Sequence, residues 1–156
     1  MPDTPRDPFQ YAIVRVVPRV ERGESLNVGI VLLCRPRRFL GARIELDESR
    51  LSAFAPDLDP ATVRPYLEAV VRIADGDPDA GPIAGLGPAE RFHWLVAPSS
   101  TIIQVGETHM GLCDDPAAEL DHLAATLVRW PPVPEADGQR QAPDGVTGDG
   151  PRSDQD

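Results

Sequence analysis

Residues 10–34 read QYAIVRVV, then PRVERGESL, then NVGIVLLC, and the fold turns on this stretch. Gln10 to Val17 is rich in Val, Ile and Tyr, which suit a pleated, half-buried surface, and reads as a strand. Asn27 to Cys34 is apolar on both faces, as a central strand buried from two sides must be. Pro18 to Leu26 joins them and is longer than most hairpin connections. It packs Arg19, Glu21, Arg22 and Glu24 ahead of Asn27, the only Asn of the chain. Loops held by a rigid sheet are where function concentrates, so this one is the first place to look.

Outward from that hairpin, Arg35-Pro36-Arg37-Arg38 is a second turn and Leu40 to Asp47 alternates apolar with polar residues, a half-exposed strand. Asp47 can cap a short helix that ends before Pro56. Asp59-Pro60 is an N-cap followed by Pro at the first helical position. The helix it opens runs to about Ala74, with Val63, Leu67, Val70 and Ala74 on one face, and Pro65 should kink it or delay its start. Residues 75–88 read as a Gly- and Pro-rich loop with a helical turn near Ile83 to Leu86. Arg91 to Ala97 alternates and predicts a fourth strand with Phe92 and Trp94 facing the core. Thr101 to Val105 is a fifth, and Gly106 to Asp114 a polar loop. Asp115-Pro116 opens a last helix whose buried stripe is Leu120, Leu123, Ala124 and Leu127, with Trp130 covering its base. The result is an α+β fold: a mainly antiparallel sheet of about five strands with two or three helices packed on one face.

Length and composition set the boundaries. At 156 residues one domain is expected. Residues 1–8 carry three Pro and read as a flexible arm. Residues 131–156 hold five Pro, four Gly, six acids and two Arg with no Leu, Ile or Phe, and read as a disordered acidic tail. Residues 9–130 are then the single folded domain. The net charge is −10; the tail carries −4, which leaves −6 for the rest. An acidic domain is ill suited to displacing counterions from nucleic acid or to binding anionic membrane, so neither is an expected partner. All fifteen basic residues are Arg. Without lysine there is no Schiff-base chemistry, P-loop lysine or kinase strand lysine. Two cysteines, Cys34 and Cys113, no secretory-type segment and no apolar run long enough to span a bilayer predict a cytoplasmic protein with free thiols.

Several residue sets could carry chemistry. Arg19 and Arg22 could grip a phosphate or carboxylate with forked guanidinium groups while Glu21 or Glu24 acts as base, or the loop could be a solvated, mutually paired hairpin. Asn27 could tolerate an unusual backbone angle or cap the turn. Arg35, Arg37 and Arg38 could steer an acidic partner or a phosphate, or simply protect a sheet edge. His109-x3-Cys113 has a tolerable zinc spacing but no second ligand pair, so no metal and no cofactor is expected. Ser99, Ser100, Thr101 and His109 could form a nucleophile–base pair with Asp114 or Asp115, but no nucleophile elbow surrounds the serines, and the Ser and Thr residues after Pro98 read as turn formers.

Pro18-Arg19-Val20-Glu21-Arg22-Gly23-Glu24 with Leu26-Asn27-Val28-Gly29 resembles the N-terminal signature of a bacterial domain-of-unknown-function family, number 3037. Arg91-Phe92, Trp94-Leu95, Ala97-Pro98, Ser100-Thr101, Ile103-Gln104, His109 and Gly111-Leu112 resemble its second region. Ser99 stands where that family's pattern carries an Arg, which weakens an anion-binding role for the loop. The resemblance spans roughly Tyr11 to Val128 and implies a domain type rather than a reaction. Genes of such proteins often lie beside kinases of the HipA-like kind, which implies a protein partner by association.

The leading expectation is a non-enzymatic binding or regulatory module whose surface comprises Arg19, Glu21, Arg22, Glu24, Asn27, Arg91 and His109. The alternative is a hydrolase or phosphoester-processing enzyme in which Glu21 or Glu24 works with His109 while Arg19, Arg22 and Arg91 clamp an anion. It requires the two loops to converge on one pocket. A third reading is an oligomer subunit that pairs through an exposed strand edge.

Overall fold

The computed structural model describes residues 5–99 and 101–130. The tail expected over 131–156, Ser100 and the first four residues of the arm lie outside them. Five strands form one antiparallel sheet: β1 (Asp7–Val16), β2 (Leu26–Cys34), β3 (Phe39–Ile44), β4 (Ile103–Val105) and β5 (His109–Cys113), in the order β3-β2-β1-β4 with β5 also paired to β1. Among the described residues four helices accompany it: α1 (Glu48–Phe54), α2 (Pro60–Asp75), α3 (Pro88–Leu95) and α4 (Pro116–Leu123). The α+β class and the mainly antiparallel sheet stand as read. β1 starts at Asp7, so the last two residues of the expected arm belong to the sheet.

β1 and β2 form the hairpin, with Tyr11 opposite Leu32 and Val16 opposite Leu26. The register shifts between Val14 and Arg15, where Val28 is the extra residue of a bulge. Gly29 lies opposite Ile44, and a Cβ there would come within 2.8 Å of the Arg43 carbonyl oxygen, so the close approach of β2 to β3 demands glycine. β4 and β5 follow one another along the free side of β1. Val105 lies opposite Val14, and His109 opposite Tyr11.

Alternation along β2 builds two cores at once. Val28, Val31 and Leu33 join Val14 and Val16 of β1 under Leu51, Val63, Leu67, Ile73 and Phe92 of α1 to α3. Ile30, Leu32 and Cys34 point the other way, onto Phe9, Cys113 and Leu120, Leu123, Ala124 and Val128 of the last helix. Three helices therefore cover one face, and a fourth covers the other. That explains why β2 is apolar on both sides.

The N-caps are as the sequence indicates. The Asp47 side chain accepts from the Arg50 N–H, Asp59 from Ala61, and Asp115 from Ala117. α2 starts at Pro60 without delay and contains Pro65 on its exposed side. Past Leu123 the chain widens into a π-turn over Ala124–Val128, closed by Arg129 N–H donating to the Ala124 carbonyl.

Two elements differ from expectation. The strand predicted over Arg91–Ala97 is helix α3, opened by Gly87 with Pro88 at its first position. Phe92 and Leu95 are buried and Val96 packs beside them, a spacing of three and four that fits a helix. Trp94, expected in the core, lies on the outer side and is 51 % exposed. The loop expected over Gly106–Asp114 contains β5, whose residues are poor strand formers and whose structure comes from its ladder with Asp7–Tyr11. Trp130 does not cover the helix base; it is exposed, with the Arg50 guanidinium 4.9 Å over its ring.

Candidate functional site

Pro18 ends β1's run, and Arg19 precedes a single 3-10 turn, Val20–Arg22, closed by Gly23 at φ +69°. That left-handed position is why glycine stands there. The turn points Val20, Glu21 and Arg22 outward, and all three are exposed. The Arg22 Nη2 donates to Glu24 Oε1 at 2.6 Å. This bond and the attraction behind it raise the Arg22 pKa and hold the Glu24 carboxyl below its ordinary range. The charged loop is thus partly self-paired.

Against this loop stands the connection between α1 and α2. A cleft of about 500 Å³ separates them, with Arg19, Arg22 and Glu24 on one wall and Phe54, Asp57 and Leu58 on the other. Arg19, Glu21 and Asp57 form no salt bridge among the described residues. The cleft therefore offers one unpaired guanidinium, one unpaired carboxylate and an apolar floor.

Other candidate residues are committed elsewhere. Asn27 lies in β2 beside the bulge and adopts no positive φ. Its Oδ1 accepts from Arg15 Nε at 3.3 Å, and its Nδ2 donates to the Leu127 carbonyl at 3.2 Å. It ties both hairpin strands to the π-turn, where Arg50 Nη1 also donates to the Val128 carbonyl. Arg91 donates through Nη1 to the Ile73 and Ala74 carbonyls and through Nε to that of Leu86. It closes the C-terminus of α2 and is no anion clamp at the loop. Arg37 bridges Asp7 Oδ2 and the Asp114 carbonyl, and Arg35 contacts His93, so the basic turn holds the β1–β5 end together.

His109 sits on β5 with its ring 5.2 Å from that of Tyr11, on the sheet face that α4 covers. The cleft opens on the α1 side, at the far end of β1. Five residues of strand, roughly 17 Å, separate Tyr11 from Val16. The structure does not bring Glu21 or Glu24 together with His109, so the two loops do not converge on one pocket. Thr101 bonds Ser99 and the Ile103 carbonyl, a turn rather than a nucleophile beside a base. Among the described residues no three His, Cys, Asp or Glu side chains converge as metal ligands. Cys34 and Cys113 are buried and unlinked. Burial, then the neighbouring Cys34, pushes the Cys113 thiol up to about 11, which keeps it protonated and unreactive at neutral pH.

Sequence reasoning missed the second wall of the cleft. Phe54-Ala55-Pro56-Asp57-Leu58 reads only as the end of a short helix, and nothing local says that it faces a loop some 35 residues earlier.

An open antiparallel α+β sheet carrying a charged hairpin loop over a cleft defines the class of domain. Residues 11–128 match the family described as Protein of unknown function (DUF3037), and the chain belongs to it. No curated protein and no solved structure matches the chain. No helix among the described residues is long and apolar enough to cross a membrane.

Proposed function

We propose that the protein is a non-enzymatic binding module that takes a segment of a partner protein into the cleft between the Arg19–Glu24 loop and the α1–α2 connection. The observation that carries this reading is the mixed character of the cleft: the unpaired Arg19 and Asp57 above Phe54 and Leu58. A polypeptide segment with an apolar anchor and charges of both signs complements such a wall. The separation of Glu21 and Glu24 from His109 gives the hydrolytic alternative no assembled acid–base pair. A kinase of the HipA-like kind is the first partner to test, on family association. Two buried, unlinked thiols support a cytoplasmic setting.

The test is affinity capture of the tagged full chain from its host, followed by titration of the purified partner with Arg19→Glu/Arg22→Glu protein. Both residues are exposed and the Arg22–Glu24 pair is a surface one, so the thermal melt should stay nearly unchanged. Partner affinity should fall at least tenfold. Unchanged affinity in the double variant overturns the reading.

A further inference from the structure

We infer that the β4–β5 edge of the sheet pairs with the same edge of a second copy of this chain, giving a two-fold dimer with one continuous sheet. This does not rest on the function proposed for the cleft. The argument starts with the direction of backbone groups. Val17 N–H donates to the Ile102 carbonyl at 2.6 Å, and Gly106 N–H to the Ile13 carbonyl at 2.9 Å. Odd-numbered residues of β1 thus turn their backbone groups toward the β4–β5 side. Pro8, which has no N–H to give, lies opposite Leu112. Alternation along an antiparallel ladder then makes Tyr11–His109 and Phe9–Gly111 the bonded pairs. Met110 and Leu112 turn their N–H and C=O outward from the sheet, where no strand among the described residues receives them.

The same two residues carry side chains that water disfavours. Met110 is 72 % exposed and Leu112 61 %, neighbours on one face of the strand. Among the described residues the helices pack chiefly elsewhere, α2 on β3 and β4 and α3 and α4 on β2 and β3, and α4 meets β5 at Cys113 on the other face. The opposite edge of the sheet is guarded. β3 is flanked by α2 and α4, and Arg43 reaches out of it to Asp121.

Charge and symmetry select a second copy as the occupant. The chain carries −10, yet Thr108 to Cys113 holds no Asp, Glu or Arg. Two equally acidic molecules can meet where neither presents a carboxylate. An antiparallel pairing about a two-fold axis at Gly111 sets Met110 against Leu112 of the second copy, twice, and makes both outward backbone pairs. On the other face Gly111 meets Gly111, so no side chain obstructs the approach. Glu107 and Asp114 bound the neutral strip and limit its length. A strip this short buries less than a standard stable interface, which places the pairing in the weak, transient class.

Sedimentation velocity of the full chain from about 5 to 200 μM tests this. Wild type should move from monomer to a species of twice the 16.9 kDa chain mass. Met110→Lys/Leu112→Lys protein should remain monomeric with an unchanged thermal melt, because both side chains are exposed. Amide exchange at Met110 and Leu112 should slow on association while that at His109 and Gly111, already bonded to β1, changes little. Wild type that stays monomeric at the highest concentration overturns the inference. So does a dimer that persists in the double variant, or one that leaves the Met110 and Leu112 amides unprotected.

Discussion

Arg91 shows how a single guanidinium can look functional and be structural. Its fork satisfies the Ile73 and Ala74 carbonyls that end α2, and its Nε holds Leu86 of the next loop. Helix C-termini leave carbonyls without partners, and a cation there also complements the helix dipole. Arg91→Met keeps the stem and removes the donors. It should lower stability by about 1–3 kcal/mol in urea denaturation, since the part-buried Ala74 carbonyl loses its donor while that of Ile73 keeps the Gly76 N–H, and leave partner capture intact. Loss of capture with unchanged stability would return Arg91 to the binding surface. Asn27 has the same character: its amide spans β1, β2 and the π-turn. In both cases the residue type was legible in the sequence. The partners, 12 to 100 residues away for Asn27, were not.

Among the elements, α2 carries the clearest local conflict. Pro65 is the sixth residue of a helix whose apolar face, Val63, Leu67, Val70, Ile73 and Ala74, is fully engaged. Proline there has no N–H for the Ala61 carbonyl and crowds that turn. Pro65 is exposed, so Pro65→Ala removes the conflict without disturbing the core. It should raise stability by about 1–3 kcal/mol, read as a higher denaturation midpoint with an unchanged slope. A neutral or lower midpoint would mean that the turn has already adjusted. α3 and β5 teach the complementary lesson. Phe92, Trp94 and Val96 alternate and Phe92, Leu95 and Val96 also fit a helix, so the stretch Arg91–Ala97 supports either period. Packing on the first core decides for the helix. β5 has little strand propensity and exists because β1 offers it a ladder.

At the scale of the molecule, β2 makes the two cores one cooperative unit. Leu33 belongs to the core under α1 to α3, and Leu32, its neighbour in sequence, to the core under α4. Leu32→Ala and Leu33→Ala should each cost about 2–5 kcal/mol. Each variant should still unfold in a single transition by both circular dichroism and tryptophan fluorescence, because losing either core frees the strand that anchors the other. Separate transitions would show that the α4 layer folds independently. The sequence by itself determined the hairpin, the buried central strand, the helix starts at Asp47, Asp59 and Asp115, and the exclusion of lysine chemistry. These rest on short-range causes: side-chain period, proline, glycine and capping carboxylates. Only the tertiary structure decided that α3 is a helix, that β5 is a strand, that Asn27 and Arg91 are fasteners, that the Arg19 loop faces Asp57 and that His109 lies on the opposite face. Each of these depends on contacts between distant segments, and no local pattern encodes which distant surface a residue will meet.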